Sequence, residues 1–134
     1  FLEELTQKLS SLENTCAVCQ RIENNMEKFI DTTIYLFFKE EDFRKKFLES
    51  KGFCLKHFNA MLKCAKTQLS TSKQSLFLQM LLPLQLTHLK RVQEDVNYFT
   101  KMFDYRSAGA DWKNSRNAVS RSIEKLSGPC ELHR

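Results

Sequence analysis

Two short motifs hold the side chains best suited to chemistry. Cys16 and Cys19 form a Cys-x2-Cys pair, and Cys54 and His57 form a Cys-x2-His pair. Each spacing lets two donors grip one ion. Together they offer three thiolates and one imidazole, a complete tetrahedral set for zinc. Soft sulfur donors favour zinc over magnesium or calcium. A site whose four positions are all filled by protein is structural, whereas a catalytic zinc keeps one position open. The expectation is one structural zinc per chain on Cys16, Cys19, Cys54 and His57. Other chemistries use the same residues. All of these thiols could be inert core side chains, or Cys16 and Cys19 could act as a redox pair. The redox pair suits a strand-helix setting that this pattern lacks. An iron-sulfur cluster on four cysteines needs Cys64 or Cys130.

The remaining candidates read as structure. Cys64 lies seven residues after His57, on the same helix face, and reads as core. Cys130 and His133 repeat the Cys-x2-His spacing but fall in a tail, and residues 128–134 are expected to be flexible. His88 interrupts an apolar helix and reads as a satisfied buried histidine.

The elements that must position the four donors are helices. Leu2, Leu5, Leu9 and Leu12 recur at helical spacing and predict an amphipathic N-terminal helix over 1–14. A second helix over 16–38 carries Cys19, Ile22, Met26, Phe29, Ile30, Thr33 and Phe37 on one inner face, widened by Tyr35, Leu36 and Phe38. Glu40, Glu41 and Asp42 open a third, where the macrodipole favours negative charge. Its buried face is Phe43, Phe47 and Leu48, and Gly52 closes it. A fourth begins near Cys54 with Phe58, Met61, Leu62, Ala65 and Leu69. Residues 70–72 read as a joint, followed by a long helix over 73–103 that Pro83 should kink or divide. Residues 105–112 lack periodicity, and Trp112 there is expected to plug the bundle. A last helix, capped by Asn114 or Ser115, carries Ala118, Val119, Ile123 and Leu126 and stops at Gly128. Residues 20–38 travel about 28 Å, and 40–50 with an extended 51–54 return about 26 Å. The chain can therefore bring both donor pairs together at helix N-termini, where thiolate is stabilised. The fold class is all-α, an irregular bundle of five to six helices in one domain over 1–134.

Composition agrees. The 134 residues include only 3 Gly and 2 Pro, which disfavours loop-rich and disordered architectures. A net charge of +5 with interleaved acids is a mixed surface rather than a nucleic-acid footprint. Five cysteines, an odd count at uneven spacing, argue against a secreted disulfide framework. Residues 76–89 are the richest apolar stretch, but polar breaks rule out a membrane span. Thiols kept free for a metal fit a reducing cytosol, so a cytoplasmic location is expected; the first residues show no signal-peptide pattern. Gly-rich phosphate loops, His-Glu-x2-His and nucleophile elbows are all missing, so nothing points to an enzyme.

The chain resembles a family of uncharacterised bacterial helical proteins, a domain of unknown function, with an early Cys-x2-Cys and a later Gly-Phe-Cys-x2-His. Here these are Cys16 to Cys19 and Gly52-Phe53-Cys54-Leu-Lys-His57. The likeness extends to Phe103-Asp104-Tyr105-Arg106, to Asp111-Trp112-Lys113-Asn114-Ser115 and to Ile123-Glu124-Lys125-Leu126. It implies a soluble bacterial helical protein and strengthens the four-donor set, but it implies no activity. The family's usual Pro after the first Cys is Ala17 here, a position that is not a donor.

The functional expectation is a zinc-stabilised interaction or regulatory module. Its partner would be another protein or a second copy, met through the helix carrying residues 76–89. The alternatives are a thiol redox protein using Cys16 and Cys19, and weak nucleic-acid binding through Arg44, Lys45, Lys46, Lys90, Arg91, Arg116 and Arg121.

Overall fold

The computed structural model describes residues 1–13 and 16–128. Among them are six α-helices, two short 3-10 turns and no strand: α1 (Leu2–Glu13), α2 (Ala17–Lys39), α3 (Glu41–Glu49), α4 (Leu55–Gln68), α5 (Thr71–Lys101) and α6 (Ala118–Ser127). The 3-10 turns are Tyr105–Ser107 and Lys113–Ser115. No described helix is long and apolar enough to cross a membrane.

The core sits where α2, α3, α4 and α5 meet. Phe37 is 1% exposed and lies 5.1–5.3 Å from the rings of Phe38, Phe47 and Phe77, each nearly edge-on. Such pairs stabilise beyond the area they bury. Ile30, Ile34, Met61, Ala65 and Leu81 complete the cluster. Glu40 makes the corner between α2 and α3 alone, with an extended backbone (φ −117°, ψ 118°) that ends one helix and starts the next.

Several expectations need correction. In α3, Phe47 is buried and Phe43 half-buried as expected, but Leu48 is exposed. The inner face assigned to α2 is buried only from Ile30 onward, through Ile34 and Phe37, while Ile22 and Phe29 are exposed. Ile22 lies ahead of most of the packing against α4, whereas Phe29, next to buried Ile30 and level with the Asp31–Cys64 contact, lies off the packed face. Pro83 neither breaks nor divides α5, which is continuous across it. Pro83 is exposed, and Leu81 and Gln85 beside it are buried, so packing outweighs the lost backbone bond. Gly52 does not close α3 directly: Ser50 caps the helix, and Gly52, at φ +69°, turns the loop that follows.

The long apolar helix is core on one face only. Phe77, Leu81, Gln85 and Val92 are buried, whereas Leu76, Leu82 and Leu86 are exposed. Every side chain described in α1 is exposed. Trp112 packs on Phe99 and Phe103 at ring distances of 5.7 and 5.8 Å, closing the end of α5. Asn117, rather than Asn114 or Ser115, caps α6, and of its apolar side chains Ala118 is buried while Val119, Ile123 and Leu126 are exposed. Arg121 ties α6 to α5 through Asp95 at 2.7 Å and to the preceding turn through the carbonyl of Asn114.

Candidate metal centre

Cys16 is the N-cap of α2. Its backbone is extended (φ −87°, ψ 108°), and its thiol accepts the Cys19 backbone N–H at 3.4 Å. One helical turn brings the Cys19 side chain beside it. Three hydrogen bonds hold the Cys16 thiol below its ordinary value, led by the Cys19 N–H, then the Cys19 thiol and the Val18 N–H. The bond between the thiols raises Cys19 in turn. Both cysteines are exposed.

Cys54 is the N-cap of α4, so the second pair also opens a helix. Its Sγ lies 3.3 Å from His57 Nδ1, and both residues are half-buried. The loop before it is held from several directions. Phe53 donates its N–H to Gln85 Oε1 at 2.9 Å and accepts from Gln85 Nε2 at 2.8 Å. Its ring packs on Phe47 at 5.2 Å. Lys125 of α6 donates to the Lys51 carbonyl at 2.7 Å. A Cβ placed on Gly128 would lie 3.6 Å from Cys54 Sγ, so the end of α6 packs directly on that thiol. Gly128 is itself buried; the rest of the expected tail, residues 129–134 with Cys130 and His133, lies outside the described residues.

The two pairs lie toward the same end of the molecule. α2 and α4 pack side by side and parallel. Far along the seam, Asp31 accepts from Cys64 at 3.0 Å and from Gln68 at 2.8 Å. At the other end, the Lys56 ammonium lies within electrostatic reach of the Cys19 thiol and lowers it. Counting back from the Asp31–Cys64 contact sets His57 beside residue 24 of α2, five residues or about 7 Å along the axis from Cys19. Each pair is closed on itself, and no three of His, Cys, Asp and Glu gather into one group among the described residues.

Cys64 belongs elsewhere. Burial first, and then its bond to Asp31, push its thiol up to about 12, so it stays protonated. A groove of about 350 Å³ opens beside it, lined by Asp31, Tyr35, Lys39, Gln68 and Lys73, where no sequence motif pointed. His88 departs from the expectation of a satisfied histidine: its Nδ1 is buried with no partner among the described residues. Burial, then Arg91 and Lys125, hold His88 below its ordinary value, against the Ser50 backbone. Two of the candidate nucleic-acid contacts are engaged within the chain: Lys45 with Glu41 at 3.4 Å, and Arg121 with Asp95. The residue missed in the sequence is Gln85, which reads there only as a polar break in an apolar run.

The chain belongs to a family of unknown function, DUF6062, which matches residues 1–133. No curated protein and no solved structure matches it.

Proposed function

We propose that the chain is a helical interaction module stabilised by one structural zinc on Cys16, Cys19, Cys54 and His57. The observation that supports this reading is that each pair opens a helix within one turn, Cys16 and Cys19 on α2 and Cys54 and His57 on the neighbouring α4, with Cys54 Sγ 3.3 Å from His57 Nδ1. Closing the set requires the exposed start of α2 to move against α4, and residues 16–25 are all exposed, ahead of Met26, which packs on the core. Electrostatics favour it as well. A zinc ion with three thiolates carries a single net negative charge. The Lys56 and Lys125 ammoniums lie within electrostatic reach of Cys19 and Cys54. Such a site supplies no open coordination position, so its work is to hold helix ends. The exposed leucines of α1, with Leu82 and Leu86 of α5, supply apolar surface for a partner protein or a second copy.

The test is elemental analysis of untagged protein purified without added metal or chelator, followed by melting with and without chelator. The expected result is about one zinc per chain and a lower melting temperature after chelation. Cys19→Ser and His57→Ala should each release the metal and lose the same increment of stability. Metal loss with an unchanged melting curve overturns the structural role.

A second reading, reversible disulfide exchange at Cys16 and Cys19, is supported by their exposure and shared hydrogen bond. Metal-free protein with these two thiols oxidised and the remaining cysteines reduced would favour it.

A further inference from the structure

Gln85 is 3% exposed, on a face of α5 where its buried neighbours are Phe77, Leu81 and Val92. A primary amide in that position is costly to bury unless its donor and its acceptor are both used. Both are used on a single residue, 32 positions back in the chain. Oε1 accepts the Phe53 N–H, and Nε2 donates to the Phe53 carbonyl. The side chain thus does for Phe53 what a neighbouring strand would do: it occupies both of its backbone groups and fixes its orientation.

The loop is shaped to receive this grip. A Cβ on Gly52 would lie 2.9 Å from Gln85 Oε1, so the amide would have to shift, and 3.0 Å from Lys125 Nζ, a tight contact. Its φ of +69° is also one that other residues rarely adopt. The residue after Phe53 is Cys54, which starts α4.

We infer that Gln85 is a positioning residue for the Cys54–His57 donor pair: by holding both backbone groups of Phe53, it sets where the Cys54 thiol is presented. Its relevance to metal rests on the zinc reading; the placement of the thiol does not. Gln85 hydrogen-bonds to Phe53 and acts on the pair through the loop.

The experiment separates positioning from plain stability by comparing two thiols on α4. Chelator-treated wild type, Gln85→Met and Leu81→Ala are alkylated with iodoacetamide, and the rates at Cys54 and Cys64 are read by peptide mass spectrometry. Met keeps the length and apolar packing and removes both bonds. The Cys54 to Cys64 rate ratio should rise roughly tenfold in Gln85→Met, the scale of local opening when two neutral hydrogen bonds are lost. Leu81→Ala removes a fully buried core side chain and should speed both thiols together, leaving the ratio unchanged. Zinc affinity, measured by competition with a chromophoric chelator, should fall roughly tenfold or more in Gln85→Met, as for other residues that orient metal donors. An unchanged ratio in Gln85→Met, or an equal rise in Leu81→Ala, overturns the inference. A raised ratio in a protein whose wild type binds no zinc sustains the positioning and overturns the zinc reading instead. If Gln85→Met does not fold, Gln85→Glu keeps the acceptor for Phe53; it should give an intermediate ratio, and a wild-type ratio there overturns the inference.

Discussion

Cys16 and Cys19 stand at the open end of a helix whose apolar residues are exposed up to Phe29, apart from a half-buried Met26. Cys54 and His57 follow a loop gripped by Gln85, Lys125 and the Phe47 ring, with Gly128 against the thiol. Both pairs have the same spacing and both open a helix, yet one is anchored to the core and the other is not. The difference teaches that a donor motif and its preorganisation are separate properties. The motif is local, while the bracing comes from α5 and α6. In the zinc reading, the metal would fasten the loose half to the braced one.

The largest test of this contrast removes the floor of the braced half. Phe47 is 6% exposed, and Phe47→Ala should destabilise the protein by about 3–5 kcal/mol in urea unfolding. The matching truncation in the loose half, Ile22→Ala, should stay within about 0.5 kcal/mol of wild type, since Ile22 is exposed. Comparable losses at both positions would erase the distinction between the halves.

A smaller effect is expected at the turn. Gly52→Ala forces a side chain into a left-handed conformation and against Gln85 and Lys125. We expect a loss of about 1–3 kcal/mol, with faster hydrogen exchange at Phe53 and no change at the start of α2. Wild-type protection at Phe53 would show that the grip does not need glycine.

The smallest effect is a pH dependence confined to the braced half. His88 faces Arg91, Lys125 and Lys51, and burial lowers its affinity for a proton below the ordinary value of 6.5. The unfolded chain therefore takes up the proton first as pH falls. The stability contribution is complete above about pH 6.5 and is lost progressively below it. Urea midpoints of chelated protein at pH 7.5 and 5.5 should differ less in His88→Gln than in wild type. Parallel pH slopes in the two proteins would contradict this.

The helices were largely legible because their signal is local. Glu41 and Asp42 mark the start of α3, and the stripe through Ile30 and Phe37 is plain in the spacing. The closeness of Cys16 to Cys19 and of Cys54 to His57 was legible for the same reason, each pair lying within one turn. What was not legible is which part of a stripe finds a partner. Cys19 and Ile22 share their spacing with Ile30 and Phe37, but α3 has 9 residues against 23 in α2. At 1.5 Å per residue the returning helix covers about 14 Å of a helix about 35 Å long. With the loop added, α4 starts beside residue 22 of α2, and the stretch of α2 before it overhangs. In the same way, the polar break at Gln85 disclosed nothing of its partner.

The sequence by itself determined an all-helical chain, the approximate extent of its helices and two close Cys/His pairs, because periodicity and motif spacing are set by residues within about four of one another. Only the tertiary structure decided which pair is braced and which is open. The contacts responsible join Phe53 to Gln85 across 32 positions and Lys51 to Lys125 across 74. Interactions over such separations depend on how helices of unequal length pack, and a reading of neighbouring residues does not contain that information.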